Sequence, residues 1–217
     1  MFRHLLALAC ASLVTAAFAQ TAQIDATVID PQGRPVSDAV VVAVPADGAP
    51  VVNGPRESVV DQVDKEFVPK VVAIQAGTSV TFPNHDNVRH HVYSFSPPKR
   101  FELSLYAGVP AKRVVFDTPG VVVLGCNIHD WMVGYIYVSE SPFFAKTDKD
   151  GKARLADLPP GAYHVRAWHP QLAVAEESTR TKVDATRGGV AEVRWTLELK
   201  PEVRVRRAPT PERRGTY

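Results

Sequence analysis

The sequence predicts an all-β chain. Three observations carry this. Short valine-rich runs recur along the whole length. They are separated by turn residues drawn from 18 prolines and 13 glycines. No long stretch keeps a helical apolar period. The expected strands are 24–29, 39–44, 71–75, 79–83, 91–95, 111–117, 120–126, 134–138, 162–168 and 191–199. Their spacing suits sandwiches or barrels rather than a parallel sheet.

The chain has 217 residues, 45% of them apolar, enough for one large or two small domains. Lys and Arg total 25 against 23 Asp and Glu, so no overall field marks a nucleic-acid binder. Residues 1–19 read as a secretory signal: Arg3 gives a positive start, Leu5–Phe18 is almost wholly apolar or small, and Ala17-Phe18-Ala19 offers a cleavage site before Gln20. An uncleaved anchor is the alternative, and lipidation at Cys10 is disfavoured by the short apolar run before it. Periplasmic or secreted placement is therefore expected, with no transmembrane span in the mature chain. Cleavage leaves Cys126 as the one cysteine, and no intrachain disulfide can form. A lone thiol in an oxidising compartment calls for burial or a ligand.

Two regions separate along the chain. Residues 57–139 contain all the candidate metal chemistry. Residues 20–45 and 146–199 read as two pieces of one further β domain, with turns at Asp30–Val36 and Thr147–Gly151. Pro45–Arg56 reads as the linker between them. The tail, 200–217, carries Arg204, Arg206, Arg207, Arg213 and Arg214 with few apolar residues and reads as a solvated, disordered segment. A dock for an acidic partner or membrane surface is the alternative.

The string Gly125-Cys126-Asn127-Ile128-His129-Asp130-Trp131-Met132 joins two expected strands. Its C-x2-H-x2-M spacing places a thiolate, an imidazole and a thioether in one tight loop. A further donor must come from elsewhere, and the segment Asn84–Val92 supplies His85, His90 and His91. Two imidazoles and a thiolate in a plane, with a weak axial thioether, form the donor set of an electron-transfer copper site. Zinc is the rival by affinity, but methionine serves zinc poorly. Taken singly, Cys126 reads as a buried inert thiol, Met132 as core and His90 as a surface residue. Their coincidence at strand ends favours the ion.

At these residues the chain resembles the cupredoxins of the plastocyanin and amicyanin type. Glu66–Val71 and Ala76–Phe82 resemble that family's first strands. Asn84 stands six residues before His90, and His90-His91-Val92 matches the family's H-N-V. Cys126, His129 and Met132 match the short amicyanin-type loop. The resemblance implies a Greek-key β-sandwich or barrel, one Cu(I)/Cu(II) ion held by His90, Cys126, His129 and Met132, and single-electron carriage. The partners it implies are redox proteins such as a dehydrogenase or a cytochrome c. The two-domain arrangement looks like that of methylamine-utilisation-like proteins. Two residues depart from the pattern: His91 replaces an asparagine, and Asp130 replaces a proline. The flanks resemble the carboxypeptidase-regulatory-like sandwich through Gly33–Val41 and Thr147–Tyr163.

Other residues keep two readings. His85 is expected on the surface, with a donor beside the site or an extra ligand as alternatives. Adjacent strand residues face opposite ways, so His90 and His91 are not expected to share an ion. Trp131 is either core or an apolar rim beside His129. Phe101, Leu103, Leu105 and Tyr106 are expected to pack the sandwich or cover the metal end. His164, Trp168 and His169 read as structural. Function is expected to be electron carriage rather than enzymatic catalysis. Copper delivery or sensing, a metal-stabilised interaction module, and catalysis at an open copper position are the rival readings.

Overall fold

The computed structural model describes residues 20–48, 56–110 and 112–201. The expected signal segment 1–19, most of the linker and nearly all of the basic tail lie outside these residues. Among the described residues there are seventeen strands, one short 3-10 turn at Glu176–Thr179 and no α-helix. The chain is all-β.

It begins with β1 (Ala22–Ile29) and β2 (Val40–Pro45). It then runs through β3 (Glu57–Val59), β4 (Asp61–Val63), β5 (Glu66–Val68), β6 (Val71–Gln75) and β7 (Thr78–Thr81). Next come β8 (His90–Ser94), β9 (Phe101–Tyr106), β10 (Val114–Phe116), β11 (Gly120–Gly125) and β12 (Val133–Ser139). It closes with β13 (Phe143–Lys146), β14 (Lys152–Leu158), β15 (Gly161–Trp168), β16 (Thr181–Ala185) and β17 (Val190–Thr196).

The middle strands form a five-stranded sheet, β6-β12-β11-β8-β9, facing a three-stranded one, β10-β7-β3. Between them lies a core that includes Phe67, Phe82, Val92, Phe116, Leu124 and Ile136, and both Cys126 and Met132 belong to it. The outer strands form the sheets β14-β1-β17 and β13-β2-β15-β16 around a second core, which includes Ile24, Val28, Val41, Leu155, Val165 and Trp195.

The two sandwiches meet sheet against sheet. Val40, Val42 and Trp168 pack on Val71 and Tyr137. This explains the unbroken run Val40-Val41-Val42-Ala43. Val41 and Ala43 face their own core while Val40 and Val42 face the junction, so the strand is buried on both sides. Polar bonds ring the contact. Arg166 donates to Glu176 at 2.6 Å and to both oxygens of Glu140 at 2.7 Å. The Tyr137 hydroxyl donates to Glu176, and Lys146 Nζ donates to the Val71 carbonyl at 2.8 Å.

Several strands escaped the sequence reading. β14 and β16 do alternate apolar residues with charges, Lys152, Arg154 and Asp157 in one and Lys182 and Asp184 in the other, as a strand with one solvated face does, but their charged composition resembles that of a loop. The three-residue strands β3 and β4 are too short to show any period, and β5 lies in Glu66–Val71, which showed only through the family resemblance. Phe101–Tyr106 is the edge strand β9. In it Leu103 packs the core and Leu105 is exposed.

Trp168 packs at a tilt against Tyr135 and Tyr137, with ring centroids 6.1 and 5.5 Å away. Trp168→Ala is expected to destabilise the protein by about 3 kcal/mol through the cavity it opens at the junction, measured by urea unfolding. The half-buried His169 gives a pH effect. Burial, aided by Lys70 and opposed by Asp38, holds its imidazole below the ordinary 6.5. The unfolded chain then takes up this proton first on acidification, so the stability is full above that value and falls as pH drops through the folded one. His169→Gln is expected to flatten the urea midpoint's dependence on pH between about 7.5 and about 5.5.

Candidate metal centre

The centre lies where β8 begins and where β11 ends. His90 opens β8, and its side chain is fully buried on the same face as Val92. A bulge accompanies it: between His90 and Val92 the pairing with β9 jumps from Tyr106 to Leu103. Such bulges re-aim side chains beside functional sites. Cys126 follows β11 directly and is buried. From there the chain turns back into β12, and the Met132 N–H donates to the His129 carbonyl at 2.9 Å, closing the turn.

Three donor atoms converge. Nδ1 of His90 lies 3.9 Å from Sγ of Cys126, and Nδ1 of His129 lies 4.0 Å from the same sulfur. The two Nδ1 atoms are 3.2 Å apart. A metal with nitrogens at about 2.0 Å and sulfur at about 2.3 Å in a trigonal plane has edges of about 3.5 and 3.7 Å. The observed triangle fits an ion at its middle, and its donors suit a soft first-row metal. Met132 is almost wholly buried in the same core as Cys126.

The loop before His90 is tied by Asn84. Its amide donates to the carbonyls of Val88 and Tyr106, both at 2.9 Å, and its oxygen accepts the Asp86 N–H at 3.0 Å. The Asn84 backbone also exchanges two hydrogen bonds with Gly108. The knot thus sits six residues ahead of His90, and His91 takes no part in it.

His91 points away from the triangle. Its Nε2 lies 2.9 Å from Glu102, and its ring lies 5.6 Å from Tyr93. Tyr93 in turn covers Gly125, where an added Cβ would meet the phenol ring at 2.7 Å. Glycine at 125 is what lets an aromatic ring lie against the backbone beside Cys126. His85 is exposed and pairs with Asp61 at 2.7 Å, outside the cluster. Trp131 is half-buried, with its ring 5.1 Å from that of His129. Asp130 is exposed.

Two neighbours, Asp86 and Gln62, were not singled out in the sequence. Asp86 reaches His90 Nε2 at 2.6 Å. Burial raises its carboxyl, but N–H groups of Lys65 and Asp64 and the ring of His90 outweigh this and hold it below the ordinary carboxylate value. Gln62, fully buried, donates to the Tyr106 hydroxyl and to the Phe82 and Pro83 carbonyls. Burial pushes the Tyr106 hydroxyl up to about 12, with Cys126 adding to the effect and the Gln62 hydrogen bond opposing it. Only the four-residue spacing of Asp86 to His90 offered a signal. For His129, burial followed by the nearness of His90 and Lys65 lowers the imidazole against Asp86. Its neutral form, the one able to ligate, is favoured.

No known protein family and no curated protein matches the chain. Among solved structures it is similar to the copper-containing nitrite reductase of Thermus scotoductus SA-01, with 28% identity over 54% of this chain and a TM-score of 0.36. The chain spans only 28% of that reductase's length. It is also similar to a purple cupredoxin from Nitrosopumilus maritimus, with 26% identity over 39% of this chain and 99% of that one, TM-score 0.34. The pseudoazurin of Hyphomicrobium denitrificans shares 24% identity over 38% of this chain and 75% of that one, TM-score 0.33.

Asn84→Ala removes the amide behind three hydrogen bonds. It is expected to destabilise the metal-free protein by about 2 kcal/mol in urea unfolding, because the buried groups it leaves lose their partners.

Proposed function

We propose that the chain is a single-copper electron carrier, with His90, Cys126 and His129 as the plane of ligands and Met132 as the axial one. One observation carries this reading: both imidazoles turn Nδ1, rather than Nε2, toward one buried sulfur, and the resulting triangle suits one ion. When bound, copper supplies a one-electron couple between Cu(I) and Cu(II).

The chain's own residues supply the rest. Cys126, nearly excluded from water, presents its sulfur to the two rings. His90 is anchored from behind and fully buried, whereas His129 is half-buried and gives the site its contact with the surface. Exposed apolar residues flank the ligand-bearing segments: Val88 before His90, Leu105 beside its β9 partner, and Ile128 next to His129. Such a rim suits a small, transient contact with a redox protein. Trp131 extends the apolar surface at the ring of His129. The paired sandwiches behind the site belong to the same reading. Residues 57–139 form the copper unit and residues 20–45 with 146–199 a carboxypeptidase-regulatory-like frame, a division supported by their separate cores. The leader-like residues 1–19 support periplasmic or secreted placement. Among the described residues, no helix is long and apolar enough to cross a membrane.

Copper-loaded protein is expected to show an intense thiolate-to-copper absorption band and the narrow hyperfine splitting of a thiolate-bound Cu(II) in EPR. Cys126→Ser should abolish the band while leaving the fold intact by circular dichroism. A wild-type protein that binds copper without the band would overturn the proposal.

A further inference from the structure

His90 is held on both sides of its ring. Nδ1 faces Cys126 and His129, while Nε2 lies 2.6 Å from Oδ2 of Asp86. Neutral imidazole carries one proton, and its two nitrogens then play opposite parts. A carboxylate can only accept at Nε2, so the proton belongs there and Nδ1 keeps its lone pair. We infer that Asp86 is a positioning residue that sets the His90 tautomer and strengthens Nδ1 as a donor. This rests on the copper reading above for its consequence at the ion, though not for the tautomer itself.

The carboxylate is in turn fixed by a separate element. The hairpin β4–β5 turns through Asp64 and Lys65, with φ of 54° and 59°. Two successive left-handed residues make the tight reversal that a two-residue hairpin needs. That conformation points both of their N–H groups outward in one direction. Asp64 N–H donates to Asp86 Oδ1 at 2.7 Å and Lys65 N–H to Oδ2 at 2.9 Å. Asp86 thus accepts from the hairpin with both oxygens and from His90 with one of them. Its side chain is only 11% exposed, so water competes little for these bonds. The backbone N–H of Asp86 is itself held by Asn84. The hairpin therefore acts as a brace for a residue two steps removed from it: turn to carboxylate, carboxylate to imidazole.

The expected effect on the ion has a definite sign. An anionic acceptor on Nε2–H makes the ring more basic at Nδ1, and this favours Cu(II) over Cu(I). Losing it should weaken Cu(II) binding more than Cu(I) binding. Outer partners of ligating histidines typically change affinity by 10–100-fold. A tenfold change in the ratio of the two affinities is a rise in reduction potential of about 59 mV for one electron.

The test begins with the metal-free wild-type protein. Long-range proton–nitrogen NMR of the imidazoles at about pH 8, above the ordinary histidine value, reads the tautomer directly. The expected result is a protonated Nε2 and a bare Nδ1 at His90. A proton on Nδ1 instead would overturn the inference, whatever copper does. Copper-loaded Asp86→Asn, which keeps an acceptor but loses the charge, should then show a potential raised by about the amount above. Asp86→Ala should raise it further and leave His90 with a mixed tautomer. Unchanged potentials in variants whose melting temperatures fall would reduce Asp86 to a loop tie and reject the role. If Asp86→Ala does not fold, the wild-type spectrum and Asp86→Asn still decide. A missing thiolate band in copper-loaded wild type would sink the copper reading alone, since the tautomer is measured without metal.

Discussion

Everything at the centre depends on holding three lone-pair donors against one another. The ligand atoms of His90, Cys126 and His129 all lie within 4.8 Å of one another. Donors so placed repel unless protons bridge them or a cation lies between. The sulfur and the two Nδ1 atoms can share protons, and a metal held by His90, Cys126 and His129 would take the place of those protons, coupling binding to proton release. The convergence is imposed from outside by rigid strands. His90 belongs to β8, Cys126 ends β11, and β11 pairs with β8 at Gly125–Tyr93 and with β12 from Gly120 to Gly125. The sheet sets the positions, and the loop needs only to turn His129 inward.

Rigidity of this kind needs support on both faces of the sheet. The inner face has the core that contains Cys126 and Met132. Part of the outer face is covered by the second sandwich, through Val40, Val42 and Trp168 against Val71 and Tyr137. Burial first, and then the neighbouring Glu176, raises the Tyr137 hydroxyl well above the ordinary tyrosine range, so it stays a neutral donor to that carboxylate. Arg166 stays charged, because its pairings with Glu140 and Glu176 outweigh its burial. Tyr137 and Arg166 therefore each keep one protonation state over the ordinary pH range. The second sandwich stiffens β12, the strand that receives the chain from Met132.

How much of this was legible follows from how local each signal is. Cys126, His129 and Met132 fall within seven residues, and their spacing alone suggests a loop around an ion. The other imidazole was ambiguous from spacing, since His85, His90 and His91 crowd one segment. Strand alternation separates His90 from His91, and a turn exposes His85. The all-β class was readable because turn residues and valine runs are local too. Asp86 was not readable. Its partners Asp64 and Lys65 lie more than twenty residues away, and their N–H groups carry no side-chain signature. Gln62 and Tyr106 meet only because β4 and β9 are brought together in three dimensions. The charged strands β14 and β16 were hidden because their polar faces resemble loops in composition.

The two sides of the centre differ in a way that bears on electron movement. His90 is sealed, and each of its ring nitrogens is committed, one to the triangle and one to Asp86. His129 has no such anchor among the hydrogen bonds of the described residues and lies half-open beside Trp131. The proposed electron carrier needs both properties. The sealed ring, the buried sulfur and the buried thioether would hold the donor geometry fixed as a bound ion changed charge, which keeps reorganisation small. The open ring would let a partner approach without entering the core. Placing the enclosed imidazole on the sheet and the accessible one on the loop meets both requirements with two copies of the same side chain. The difference between them comes from the backbone that carries each and from the carboxylate that only one of them meets.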